Sequence, residues 1–143
     1  MRDNSPTTSL NQKALSNNIE IFLYRSQKKN HDEMIEVNGQ SQDFFMKHGA
    51  SNFEVFSLTN REDIMEFVNL SKTISASEEE EVWLEIQSYR DNEHVKQFSK
   101  SMEGDKSIEP LFKEFMRLIT PGSVVSFGSF SRLVQISYYF SHS

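Results

Sequence analysis

Glu85 and Gln87 stand two residues apart, and Trp83 and Tyr89 flank them at the same spacing. In an extended chain such positions share one face, so a carboxylate and an amide would lie between two large aromatic walls. A carboxyl group taken out of water beside aromatic rings is harder to ionise and can act as a general base toward an aromatic or enolisable molecule. The same face can also meet a second subunit, and its large apolar flanks favour that reading. Two histidines are the other candidates for proton transfer. His48 ends an apolar helical stripe, where the helix dipole favours an imidazolium and a neutral ring can bond a free carbonyl. His94 precedes Phe98 by four residues and so borders a buried helix face. For both histidines a structural role is the first expectation and catalysis the second. Phe127, in the last apolar segment, joins Trp83, Gln87 and Tyr89 as a candidate ligand contact.

Composition excludes much other chemistry. The 143 residues contain no cysteine, which removes disulfides, thiolate metal sites and cysteine nucleophiles. The four histidines show none of the short spacings that place two ligands on one metal, so no metal site is expected. No glycine-rich phosphate loop, nucleophile elbow or dinucleotide fingerprint occurs, and no cofactor is expected, although a lone histidine leaves haem ligation open. Fifteen basic against 21 acidic side chains give a net charge of −6, the wrong sign for gripping phosphates, so nucleic acid is not an expected partner. No apolar run is long enough for a membrane span or an export signal, which points to the cytoplasm.

The elements that must position these residues follow from periodicity. Residues 1–18 are rich in Asn, Ser and Thr and read as a flexible arm, 19–136 as one domain, and 137–143 as a short tail. Strands are expected at 19–24, 53–58, 82–89 and 124–133. A first helix is expected over 30–48, opened by a capping box between Asn30 and Glu33 and stopped by Gly49. A second follows the cap Asp91 and stops at Gly104, and a third carries Leu111, Phe112, Phe115, Leu118 and Ile119 as its buried stripe. Residues 59–77 match neither period cleanly, and the four glutamates at 78–81 read as a solvated turn. The order β-α-β, loop, β-α-α-β predicts an α+β, ferredoxin-like βαββαβ sandwich: a four-stranded antiparallel sheet with helices on one face. The strands carry large apolar residues on both faces, so a second copy is expected on the uncovered face, giving a homodimeric α/β barrel.

Three short segments sharpen this. His48-Gly49-Ala50 after the first helix, Arg90-Asp-Asn-Glu-His94 opening the second, and Phe127-Gly128-Ser129-Phe130 in the last strand resemble the YbaA-like family of unknown function in order and spacing. The last segment departs from the family's Tyr-Gly-Gly-Phe by Phe127 and Ser129. The resemblance implies a small homodimer within the dimeric α/β-barrel superfamily, whose members include cofactor-independent monooxygenases, isomerases and ligand-sensing modules. Two functions are therefore expected, a binder of a small apolar or aromatic ligand and a cofactor-independent enzyme with a base at His48, Glu85 or His94.

Overall fold

The structure, a computed structural model, describes residues 16–135. Four strands, β1 (Asn18–Gln27), β2 (Asn52–Ser57), β3 (Glu80–Tyr89) and β4 (Ser126–Ser131), form one antiparallel sheet in the order β2-β3-β1-β4. After a 3₁₀ turn at Lys28–Asn30, α1 (His31–Lys47) joins β1 to β2. The β2–β3 connection carries a one-turn helix α2 (Leu70–Thr73), and α3 (Asn92–Met102) with α4 (Ile108–Leu118) joins β3 to β4. Each crossover thus links two strands that sandwich a third, the split βαβ arrangement repeated twice.

Register decides which side chains meet the helices. Phe22 opposes Glu85, Tyr24 opposes Trp83 and Glu20 opposes Gln87; on the other side Phe22 opposes Phe127. Directly opposed residues share a face. Tyr24 and Trp83 are buried there with Met34 and Val37 of α1, Leu118 of α4 and Ile119, and Tyr89 is buried with Ala50 and Phe98. The Trp83, Glu85, Gln87 and Tyr89 face therefore lies under the chain's own helices, not against a partner. Ile19, Ile21, Leu23, Leu84 and Ile86 form the open face, only half-buried in the single chain, with Phe56 and Phe130 still more exposed. A Cβ at Gly128 would come within 2.9 Å of the exposed Phe130 ring, which would have to shift to admit it.

Several local expectations are corrected. Asn30 and Glu33 form no capping box: the Asn30 amide donates to the Leu118 carbonyl (3.2 Å) and Glu33 pairs with Arg117 (2.7 Å), so tertiary partners displaced the local ones. Gly49 does stop α1 in the left-handed region (φ 100°), and the Asp91 carboxylate accepts the His94 N–H at 2.8 Å as the cap of α3. Phe112 is exposed, not part of a buried stripe. Of the arm expected over 1–18, residues 1–15 lie outside the described residues, as does the tail at 137–143, while Ser16 and Asn18 are buried and Asn17 bonds Arg90 and Arg132 through its backbone. At the outer edge of the sheet, the Gln42 amide donates to the Phe53 carbonyl (2.9 Å) and the Asn52 side chain accepts the Phe53 N–H (3.0 Å).

The glutamate run is the largest correction. Glu80 opens β3 and is only 3% exposed. Burial works against its charge, but the Ser77 N–H (2.8 Å), the Thr120 hydroxyl and the Arg25 guanidinium (3.1 Å) all bind the ionised form and lower its pKa from 4.5 to about 2. A carboxyl with a depressed folded-state pKa adds stability above its unfolded pKa and loses it as pH falls toward the folded value. Glu80→Gln should therefore cost about 2 kcal/mol at pH 7, and the gap to the wild type should close as pH falls from 4.5 toward 2. Urea unfolding across that range checks this, and a gap that does not change with pH would contradict it.

Candidate functional site

The two buried clusters do not meet. Between them lies a cavity of about 520 Å³, floored by Phe22, Glu85, Gln87 and Phe127 of the sheet and walled by Asn38, Ser41 and Phe45 of α1. Ile108, Leu111 and Phe115 of α4 close the far side, and the exposed Phe112, Met116 and Phe127 stand at its mouth. Phe127 is held by the Phe22 ring at 5.0 Å. The lining is mostly aromatic and aliphatic; besides Asn38, Ser41 and Ser123 its polar groups are Glu85 and Gln87, which project from β3.

That polar pair is ordered by a short chain of hydrogen bonds. The Tyr89 hydroxyl donates to Gln87 Oε1 (2.8 Å), which turns Gln87 Nε2 toward Glu85 Oε2 (2.6 Å). Burial pushes the Glu85 carboxyl above the ordinary range, more strongly than the Gln87 bond lowers it. Burial also raises the phenols of Tyr24 and Tyr89, and the nearby Glu85 charge adds to both shifts. A carboxyl that is reluctant to ionise, fixed on a strand and facing an apolar chamber, can hydrogen-bond a ligand when neutral or take a proton from it when charged.

Glu85, Gln87 and Phe127 are thus brought together, and Tyr89 acts on them through Gln87. The other expected residues lie elsewhere. Both nitrogens of His48 are engaged, Nδ1 with the Ser101 hydroxyl (2.9 Å) and Nε2 with Asp105 (2.7 Å), which ties the end of α1 to the α3–α4 link. His94 is buried; its Nδ1 accepts the Arg90 N–H (2.9 Å), so Nε2 carries the proton and donates to the Gly49 carbonyl (2.8 Å). Two segments of the family-like pattern meet at this bond. Trp83 borders a smaller hollow of about 310 Å³ between α1 and β2, and its Nε1 is buried without a partner among the described residues. Asn38 lines both hollows and donates to the Tyr24 hydroxyl at 3.3 Å, forming the partition. Asn38 and Tyr24 escaped the sequence reading, because a polar residue on a helix stripe and a tyrosine in a strand carry no distinguishing spacing.

No family model and no curated protein matches the chain. Among solved structures it is similar to a dimeric ferredoxin-like protein from an uncultured marine organism, with a TM-score of 0.55 at 7% identity over 90% of this chain and 97% of that one. The fold is ferredoxin-like. Protein Atu4242 from Agrobacterium tumefaciens gives a TM-score of 0.48 at 10% identity over 81% of this chain and 93% of its own. In the ferredoxin-like sandwich the cavity occupies the space between the two layers, where helices and sheet are held apart. No helix among the described residues is long and apolar enough to cross a membrane.

Replacing Glu85 with Gln should raise stability at neutral pH, by about 1 kcal/mol, since the amide keeps the bond to Gln87 without a charge to desolvate. A carboxyl whose folded-state pKa is raised destabilises the fold once the unfolded chain ionises. The advantage of the variant should accordingly appear above pH 4.5 and vanish below it, the opposite sign to Glu80→Gln. Thermal unfolding at a series of pH values measures it, and a variant no more stable than the wild type at pH 7 would contradict a desolvated Glu85.

Proposed function

We propose that this chain is a small homodimeric α/β-barrel protein that holds an apolar or aromatic small molecule between its sheet and its helices. The observation that carries this reading is the chamber itself: a space of about 520 Å³ with mostly apolar walls and an ordered polar pair on its floor, the general form of a small-molecule site. Glu85, Gln87 and Phe127 contact the ligand, Tyr89 positions Gln87, and His48 and His94 hold the helices that shape the chamber. The resemblance of residues 48–50, 90–94 and 127–130 to the YbaA-like family supports a cytoplasmic protein of this kind. The apolar open face supports the homodimer, because an exposed stripe of this extent in a single chain marks an interaction surface.

A neutral apolar fluorophore, N-phenyl-1-naphthylamine, probes the chamber. Saturable binding at one site per chain is expected, and Leu111→Trp, which fills the space from α4, should weaken it at least tenfold while leaving the circular dichroism unchanged. Absence of saturable binding would refute the chamber as a ligand site.

One feature favours a cofactor-independent enzyme as a second reading: Glu85 is a desolvated carboxyl aimed into that chamber and oriented by Gln87. A base so placed would remove a proton next to the carbonyl of an aryl ketone and return one from solvent. Proton NMR of acetophenone in deuterated buffer should then show deuterium entering the methyl group faster with the protein than without it, and at the buffer rate with Glu85→Gln. Exchange at the buffer rate with the wild type would leave a binding protein only.

A further inference from the structure

We propose that the β2–β3 connection is a preformed clasp that grips a second copy of this chain where the open sheet faces meet. The proposal rests on the homodimer reading and assigns it a second contact surface. Within seven positions this connection exposes five large apolar side chains: Ile64 (63%), Met65 (87%), Phe67 (68%), Val68 (64%) and Leu70 (47%). An unsupported loop of that composition would fold back on the protein to escape water. This one is held outward by its own polar frame. Ile64 and Phe67 exchange two backbone hydrogen bonds (3.2 and 2.8 Å) around Met65, whose φ of 54° closes the turn. Asp63 accepts the Asn69 N–H (2.7 Å) and pairs with Lys72 (2.7 Å), and the Asn69 amide donates to the carbonyls of Asn60 (2.7 Å) and Glu62 (3.1 Å). The polar groups are satisfied within the loop and the apolar ones are left for a partner.

Its position points to the partner. Register puts Glu80 and Val82 on the open face, yet they are only 3% and 2% exposed. The connection covers them: Arg61 donates to the carbonyls of Ser77 (2.9 Å) and Glu80, and Arg25 donates to that of Ser75 (3.3 Å). The connection is therefore anchored at the Glu80 end of the open face, the same face that carries Ile21, Leu23, Leu84 and Ile86. On this proposal the exposed apolar residues 64–70 are the wall and that face the floor, and a body that covers the floor also meets the wall. A second copy supplies that body in self-complementary form, since a two-fold arrangement sets floor on floor and brings each wall against its partner. The acidic residues beside the tip, Glu62, Asp63 and Glu66, disfavour an anionic membrane as the occupant.

Sedimentation equilibrium of the full chain tests this with two variants. Met65→Asn with Phe67→Ser removes two exposed apolar side chains, and Asn tolerates the positive φ, so the fold should be unaffected by circular dichroism. Ile21→Asp places a charge on the floor. The wild type should be dimeric at micromolar concentration, and the clasp variant should raise the dissociation constant threefold or more. A smaller rise, with Ile21→Asp dissociating the dimer, would overturn the clasp and leave the sheet-face dimer standing. A monomeric wild type would overturn both.

Discussion

A carboxyl group removed from water must be matched by hydrogen bonds and a counter-charge or it gives up its own charge. Strand β3 carries one carboxyl on each side of that balance, Glu80 and Glu85. Glu80 faces the open side and is met by an N–H, a hydroxyl and a guanidinium, so it stays ionised and pins the β2–β3 connection, β1 and the segment after α4 together. Glu85 faces the helices with the Gln87 amide as its hydrogen-bond partner, and burial prevails. The sandwich closes around apolar clusters on either side of Glu85 and Gln87 and stays apart above them. The chamber lies above these two polar side chains, which Trp83 and Tyr89 flank along β3.

Shape then follows from layering. Helices lie on one side of the sheet, and both histidines of interest work at their ends. His48 ties the end of α1 to the α3–α4 link, and His94 ties the start of α3 to the turn that ends α1. These bonds fix the spacing between α1 and α3, and with it the walls against which Phe45 and Met102 stand.

Much of this was legible in the residues. Period-two runs located β1, β2 and β3, while Gly49 and Asp91 marked helix boundaries for local reasons that tertiary structure did not override. The failures share one cause. Alternation shows that a strand has two faces and does not say which one the crossover helices will cover, so for Trp83, Glu85, Gln87 and Tyr89 it leaves a partner-facing surface and a pocket as alternatives. Glu80 looked like one more solvated glutamate because Arg25 and Thr120 lie 55 and 40 residues away in the chain. Glu85 and Gln87 were recognisable as polar intruders between aromatics. The chamber above them was not, since its far wall is α4, whose Phe112 and Met116 lie at its mouth and outside the packed core.

The treatment of strand β2 has a consequence for growth of larger assemblies. A border strand with free amides and carbonyls templates the addition of further strands, the route by which sheet proteins run on into fibres. Here the Phe53 carbonyl is taken by Gln42 from the helix above, and the Phe53 N–H is turned inward to the neighbouring Asn52 side chain. An incoming strand would have to displace both bonds to form a ladder rung at Phe53. Edge-to-edge pairing is thereby discouraged at the start of β2, while the broad face of the sheet stays open.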